Sequence, residues 1–368
     1  MESVGAGAIV IVDAESGGVS RTGLGFGKLI EYPLAFVETL GQSSLERAVH
    51  HLRTGGVRET TVLVHWDVFP AMPPFRDLAK DVVILAAVDV ELQVALTLKE
   101  YAERGMEQAF IVRPNAYCEA DLNDMMEFHR ESRCSVSRAS DSNRELDLWL
   151  IDSDIVGDSS VPRWEAGFLE SAENQDLYFV KGHCQRIDHP RDLRRLVDDA
   201  FNGRCALRPS GKEIETGIWA DEGSQIYRGA RIEGPAYVGR ACTLREDTLI
   251  RQCSNIENCS YIDYGTIIED ATILANTYVG IGLEVRESIV NANRVFNMSR
   301  DVVIELSDPN LFRTTMPDGK STSGLGLMNL LKRTTSAHAG EAEVAEEVRE
   351  QECFTNIQQV NTRTEFES

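Results

Sequence analysis

The sequence predicts two folded parts in tandem: an α/β domain on a mostly parallel sheet, then a left-handed parallel β-helix. Two observations predict this. Over the first ~200 residues, short aliphatic runs alternate with amphipathic helical patterns, as in a sheet covered on both faces. Further along, an aliphatic residue returns at every sixth position: Ile226, Ile232, Val238, Leu244, Ile250, Ile256, Ile262 and Ile268.

The run "AIVIV" (Ala8 to Val12) predicts a first buried strand. Ser43 and Glu46 make a capping-box signature ahead of Leu45, Val49 and Leu52, which share one helical face; Gly55-Gly56 ends that helix. "TTVLV" (Thr60 to Val64), "VVIL" (Val82 to Leu85) and "AFIV" (Ala109 to Val112) predict further strands. A helix between the last two carries Val94, Ala95, Leu98 and Tyr101 and stops at Gly105. Asp121 is placed to cap another, with Leu122, Met125 and His129. Pro190 suits the first position of a helix carrying Leu193, Leu196, Val197 and Ala200, and Gly203 ends it. The α/β domain is therefore expected over residues 1–207, with the polar stretch 208–216 as a linker.

A period of six fits neither a helix nor a flat strand. It fits a triangular coil with about six residues per side, whose aliphatic residues stack inside a prism. Two positions before each aliphatic residue stands a small one: Ser224, Ala230, Ala236, Cys242, Thr248, Ser254, Ser260 and Thr266. These are expected to face inward near the corners, where Gly229, Gly234, Gly239 and Gly265 ease the turns. One five-residue step resets the phase, and Ile273, Val279 and Val285 continue it. The β-helix is expected over residues 217–306, with "DVVIEL" (Asp301 to Leu306) as one closing strand. Residues 307–368 contain "EAEVAEEVREQE", six Glu in twelve residues, and are expected to be a disordered acidic tail.

The net charge of −22 argues against nucleic acid, which needs a concentrated basic face. No apolar run is long enough to cross a membrane, and the first residues lack a signal peptide's basic start, so a cytoplasmic location is expected. The eight cysteines show no CxxC or zinc-like spacing and are expected to be reduced structural thiols.

Several segments, in order, resemble the sugar nucleotidyltransferase family, the NDP-sugar pyrophosphorylases. "LAFVETLGQSSLERAVHHLRTGGVRETTVLV" (Leu34 to Val64) is similar to the family's "LLPVxGKPLLERxLxxLxxAGIxxIxV". "EADLNDMMEFHRES" (Glu119 to Ser132) is similar to the helix after its central metal-binding strand. "QRIDHPRDLRRLVDDAFNG" (Gln185 to Gly203) resembles "RDIGTPEDYLxAN", and "GIWADEGSQI" (Gly217 to Ile226) resembles the usual entry to the β-helix. The resemblance covers about residues 5 to 297 and implies a nucleotidyltransferase-like, Rossmann-like first domain. The family joins a sugar 1-phosphate to a nucleotide and releases pyrophosphate. That chemistry gathers negative oxygens, so it uses a Gly-rich loop with an Arg, a Lys before a Pro, and two Asp that hold magnesium.

At those positions this sequence departs from the pattern. The loop "AESGGVSRTG" stands where the family has "AGxGTRLxPLT", leaving Gly17, Gly18, Ser20 and Arg21 as the phosphate-binding candidates. The motif Lys falls on Tyr32, and the base-recognition Gly-Thr is absent near Leu92 and Gln93. The first metal-binding Asp falls on Asn115 and the second on Arg186. A guanidinium there repels a divalent cation while attracting phosphate, so Arg21, Arg113 and Arg186 are candidates for a metal-free anion site.

The expectation is thus a catalytically impaired relative that binds a nucleotide or nucleotide sugar and serves as a binding, regulatory or scaffold subunit, with no cofactor assigned. It is expected to work as a homo-oligomer or in a complex with an active relative. One alternative is an active pyrophosphorylase with atypical magnesium ligands among Asp13, Glu15, Glu119 and Asp188. A second is a hexapeptide acyltransferase, which needs a general-base His near the coils; none of the seven histidines lies between Gly217 and Asn297, so His183 or His189 would have to reach in.

Overall fold

A computed structural model describes residues 5–13, 26–73, 75, 82–142, 144–156 and 175–316. The first strand, β1 (Gly7–Val12), is buried along its whole length. Ala8, Val10 and Val12 join one apolar cluster, while Ile9 and Ile11 join another on the opposite face. Burial on both faces is why the run reads as continuously aliphatic rather than alternating.

The helix α1 (Ser44–Thr54) begins as its capping box predicts: Ser43 Oγ accepts from the Glu46 backbone N–H, and Glu46 Oε2 accepts from the Ser43 N–H. Next come β2 (Glu59–His65), β3 (Val82–Ala87), α2 (Val90–Glu103), β4 (Gln108–Val112), β5 (Ala116–Cys118) and α3 (Leu122–Ser132). Asp89 and Asp121 cap α2 and α3 through their carboxylates. Leu45, Val49 and Leu52 of α1 and Met125 of α3 pack on one face of β1. Val94, Leu98 and Tyr101 of α2 pack on the other.

Three strands, β6 (Val136–Ser140), β7 (Glu145–Asp152) and β8 (Gln175–Phe179), complete the sheet. Its order is β8-β6-β7-β4-β1-β2-β3. β7 runs antiparallel to both β4 and β6, and the other pairings are parallel. The motif "VSRAS" of β6 gives little apolar signal, yet all five residues are buried. A two-stranded antiparallel ribbon pairs β5 with β9 (Cys184–Arg186), and α4 (Pro190–Phe201) follows with Pro190 in its first turn.

The six-residue period builds three parallel ladders. Ile218–Ala220, Ala236–Val238 and Ser254–Ile256 stack in one, with paired residues 18 apart (219, 237, 255). Thr243–Leu244, Tyr261–Ile262 and Thr277–Val279 stack in a second. Leu249–Arg251, Ile267–Glu269 and Glu284–Arg286 stack in a third. Successive strands visit the ladders in rotation, and Val238, Leu244, Ile250, Ile256, Ile262, Ile268, Ile273 and Val279 share one fully buried cluster. From Ala236 onward the small residues are buried too, and hydroxyls among them bond between coils. Ser260 Oγ donates to the Leu274 carbonyl (3.0 Å) and accepts from the Thr277 N–H (3.3 Å); Thr266 Oγ1 bonds Gly280 and Leu283 in the same way.

Five expectations need correction. Ile226 does not stack inside: it lies in the first coil, with no coil before it to cover it, and is 38% exposed. Of the four corner glycines, Gly229 and Gly265 adopt positive φ; Gly239 does not, and is needed because a Cβ would meet the Asn258 backbone at 2.7 Å. Within the expected linker, Lys212–Glu215 is an edge strand paired with Ile218–Ala220, with all four residues exposed and three of them charged. After Ser288–Asn291 the chain turns into an antiparallel meander, Arg294–Asn297 and Val302–Glu305, rather than one closing strand. Past residue 306, Phe312–Thr314 pairs with Thr277–Val279, and Phe312 is buried against the coil core, so the folded part reaches beyond the expected start of the tail. Residues 317–368 lie outside the described residues.

The coils and the α/β layer share a core in which Leu29, Leu34, Leu40 and Leu193 meet Tyr237, Leu274 and Phe296. Polar contacts tie the same seam. The fully buried Glu257 carboxylate accepts from the Leu40 N–H (2.7 Å), the Gly41 N–H (2.9 Å) and Asn255 Nδ2 (2.6 Å). Arg194 of α4, also buried, donates to Asp270 (2.6 Å).

Candidate functional site

The carboxyl ends of central parallel strands are where α/β sheets hold ligands. Asp13 follows β1 there, and its carboxylate lies 3.7 Å from Arg113 Nε, just past β4. The turn after β4 is closed by the Asn115 N–H donating to the Arg113 carbonyl (2.8 Å). On neighbouring β7, Leu146, Leu148 and Leu150 join the core on one face, while Glu145, Asp147 and Trp149 point to the opposite face, where Trp149 is fully buried in a second core cluster.

Asp147 is the hub of this cluster, with a side chain only 12% exposed. Asn115 Nδ2 donates to its Oδ2 (2.8 Å), Arg186 Nη2 lies 3.8 Å from the same oxygen, and Arg138 Nη2 lies 3.5 Å from Oδ1. Arg138 is itself buried, bonded to Glu145 and to the Leu146 carbonyl (3.0 Å). The guanidinium groups of Arg113 and Arg138 both lie over the ring of buried Trp149, at 5.6 and 4.9 Å. Arg186 reaches the cluster from β9 and also bonds Asp188 (2.9 Å). Burial pulls its proton affinity down, but Asp188 and Asp147 more than offset that, so it is held even more firmly protonated than usual.

The structure therefore brings together Asp13, Arg113, Asn115, Arg186 and Asp188, and adds Asp147 and Arg138, which the family pattern does not single out. The lone acid between Leu146 and Leu148 in "ELDLWL" was the available signal for Asp147. Glu119 stands apart, at the far end of the ribbon, where it accepts from Tyr117 Oη (2.8 Å), the His183 N–H and the Ala206 N–H. His183 lies 3.5 Å from Asp199, and His189 caps α4. Tyr32 packs both against the core between β1 and α1 and against the core shared with the coils. Leu92 and Gln93 form the first turn of α2. Gly17, Gly18, Ser20, Arg21 and Glu15 lie outside the described residues.

These side chains do not fit a magnesium site. Each carboxylate of the cluster faces a guanidinium: Asp13 faces Arg113, Asp147 faces Arg138 and Arg186, and Asp188 faces Arg186 and Arg144. A divalent ion at Asp147 would sit beside two permanent positive charges. Among the described residues, no three His, Cys, Asp or Glu side chains converge as a metal-holding group.

From this cluster a cleft of about 650 Å³ extends beneath α1, lined on its polar side by Arg113, Asp147, Thr39, Arg47, His51 and Arg208. Arg47 donates through Nη2 to the Thr39 carbonyl and His51 bonds the Ala120 backbone, while Thr39 Oγ1 and Arg47 Nε are buried without hydrogen-bond partners. Burial lowers the proton affinity of both Arg47 and His51. Apolar residues such as Val112, Leu148 and Leu207 line the rest.

No protein-family model matches the chain, and no curated protein matches it. Among solved structures, the crystal structure of HddC from Yersinia pseudotuberculosis aligns with a TM-score of 0.40 at 10% identity, covering 52% of this chain and 97% of that one. No helix among the described residues is long and apolar enough to cross a membrane.

Proposed function

We propose that this protein is a nucleotidyltransferase-like member of nucleotide-sugar and polysaccharide metabolism, impaired in magnesium-dependent transfer. It binds a nucleotide or nucleotide sugar and acts as a binding, regulatory or scaffold subunit. One observation carries the reading: Asp147, the best-buried carboxylate at the strand ends, is already engaged by Asn115, Arg138 and Arg186. The unpartnered Arg47 Nε and Thr39 Oγ1 support an anionic or polyhydroxylated ligand in the adjoining cleft, since buried donors without partners cost stability until something bonds them. The sheet order and the order of the resembling segments support the nucleotidyltransferase-like assignment. The three ladders are read as a left-handed β-helix that mediates pairing with a second copy or an active relative, in the cytoplasm.

Calorimetry tests this with nucleotide sugars and with nucleoside triphosphates, each with magnesium and with a chelator. Nucleotide-sugar binding that is indifferent to the chelator, without pyrophosphate release in the presence of sugar phosphates, is the expected result. Magnesium-dependent triphosphate binding with turnover would establish the second reading, an active pyrophosphorylase using Asp13, Asp147 or Asp188. That reading is favoured only by the position of these carboxylates at strand ends. Light scattering tests pairing: a strict monomer at micromolar concentration would remove it.

A further inference from the structure

We infer that Cys118 and Cys184 are a redox pair: a low-molecular-weight disulfide converts them to a cross-strand disulfide that fixes the ribbon carrying Asn115 and Arg186. The two residues are directly opposite in the antiparallel pairing of β5 with β9, and their sulfurs are 3.2 Å apart. The Glu119 N–H donates to the His183 carbonyl (2.9 Å) and the Ile187 N–H donates to the Asn115 carbonyl (3.0 Å). Counting along the strands from these bonds puts 118 and 184 at a non-hydrogen-bonded site. At such sites the Cα atoms stand about 4.5 Å apart and side chains approach most closely, within the span that a disulfide bridges.

The two thiols are unequal. Either S–H can bridge the 3.2 Å contact; with Cys118 beside it the Cys184 thiol is held below its ordinary value, and the same contact, with burial, pushes Cys118 up. Both are half-buried, and Cys118 lines the cleft. Cys184 is thus the attacking thiolate. It displaces one RS⁻ from a small disulfide RSSR and forms a mixed disulfide with the remaining RS group. Cys118, giving up its proton to solvent, attacks the Cys184 sulfur and expels the second RS⁻. Two protein thiols are oxidised, one RSSR is reduced to two RSH, and the protons released are taken up by the departing thiolates. Asn115 and Arg186 lie on the same side of the bridge, at the end of the ribbon that reaches Asp147, so closure ties the geometry there to the thiol–disulfide state.

The crosslink does not depend on what the cleft binds, so it is tested separately. The reduced full-length protein is equilibrated with graded ratios of glutathione disulfide to glutathione, trapped by alkylation and mapped by peptide mass spectrometry. The expected product is one linked peptide pair containing Cys118 and Cys184, lighter than the two reduced peptides by two hydrogens. Cys118→Ser is expected to stop at a glutathione adduct on Cys184, with its folding verified by circular dichroism. Amide hydrogen exchange over 115–119 and 183–187 slows on oxidation. Stable glutathione adducts without the crosslink in the wild type, free alkylation of both thiols in excess glutathione disulfide, or linkage of either to another cysteine overturns the inference.

Discussion

Neutralising Asp147 separates the proposed anion site from a metal site. Its carboxylate holds Asn115 at 2.8 Å, Arg138 at 3.5 Å and Arg186 at 3.8 Å. A phosphate bound on Arg186 or Arg113 would stand about 5 Å from this charge, and like charges at that distance repel by about 3 kcal/mol at an effective dielectric constant of about 20. Solvent screening and the rearrangement of two guanidinium groups reduce this to about 1–2 kcal/mol. Asp147→Asn is therefore expected to bind nucleotide sugar roughly 5- to 30-fold more tightly in the presence of a chelator. It loses about 1 kcal/mol of stability, because buried Arg138 keeps Glu145 and the Leu146 carbonyl. Titration calorimetry with and without magnesium reads the affinity, and urea denaturation reads the stability. If the variant bound no better without metal and lost a magnesium-dependent affinity that the wild type possessed, Asp147 would be a metal ligand and the electrostatic reasoning wrong.

Other perturbations bear on the fold that holds the site. Glu257→Ala leaves the Leu40 and Gly41 N–H groups without their buried acceptor and is expected to cost about 3–5 kcal/mol; a loss below about 0.5 kcal/mol in chemical denaturation would show that this seam does not depend on it. Glu38 has its carboxyl pushed up to about 7, by burial and then by the nearby charge of Glu257. The folded state therefore holds this proton more tightly than the unfolded chain. Its contribution is fully present below about pH 4.5 and is lost as pH rises through about 7, by about 3 kcal/mol. Glu38→Gln is expected to flatten that slope and to be the more stable protein at pH 8; parallel pH–stability profiles for variant and wild type would refute this. Ile262→Ala empties the middle of the coil core and is expected to cost about 2–5 kcal/mol, against a much smaller change for the exposed Ile226→Ala, measured by thermal and urea unfolding.

Periodicity and caps were legible in the chain because they are local physics. A six-residue rhythm leaves few ways to bury its aliphatic positions other than stacked coils, and Leu244, Ile250, Ile256 and Ile262 do share one buried cluster. Ser43, Asp121 and Pro190 start helices for reasons contained within four residues of each. The rhythm also hid something: small residues chosen for corner space carry hydroxyls whose partners lie 14 to 17 residues away, and those partners appear only when the coils stack.

Tertiary structure alone decided the candidate site. Asn115 and Arg186 could be singled out from motif positions, but their meeting at Asp147 depends on β7 lying antiparallel beside β4 and on the pairing of β5 with β9. The same ribbon sets Cys118 against Cys184 across 66 positions of chain, a contact no spacing rule announces. Charge acts through space, not along the sequence: whether an Asp serves a cation or is claimed by an Arg is settled by a few ångströms that only the folded chain fixes.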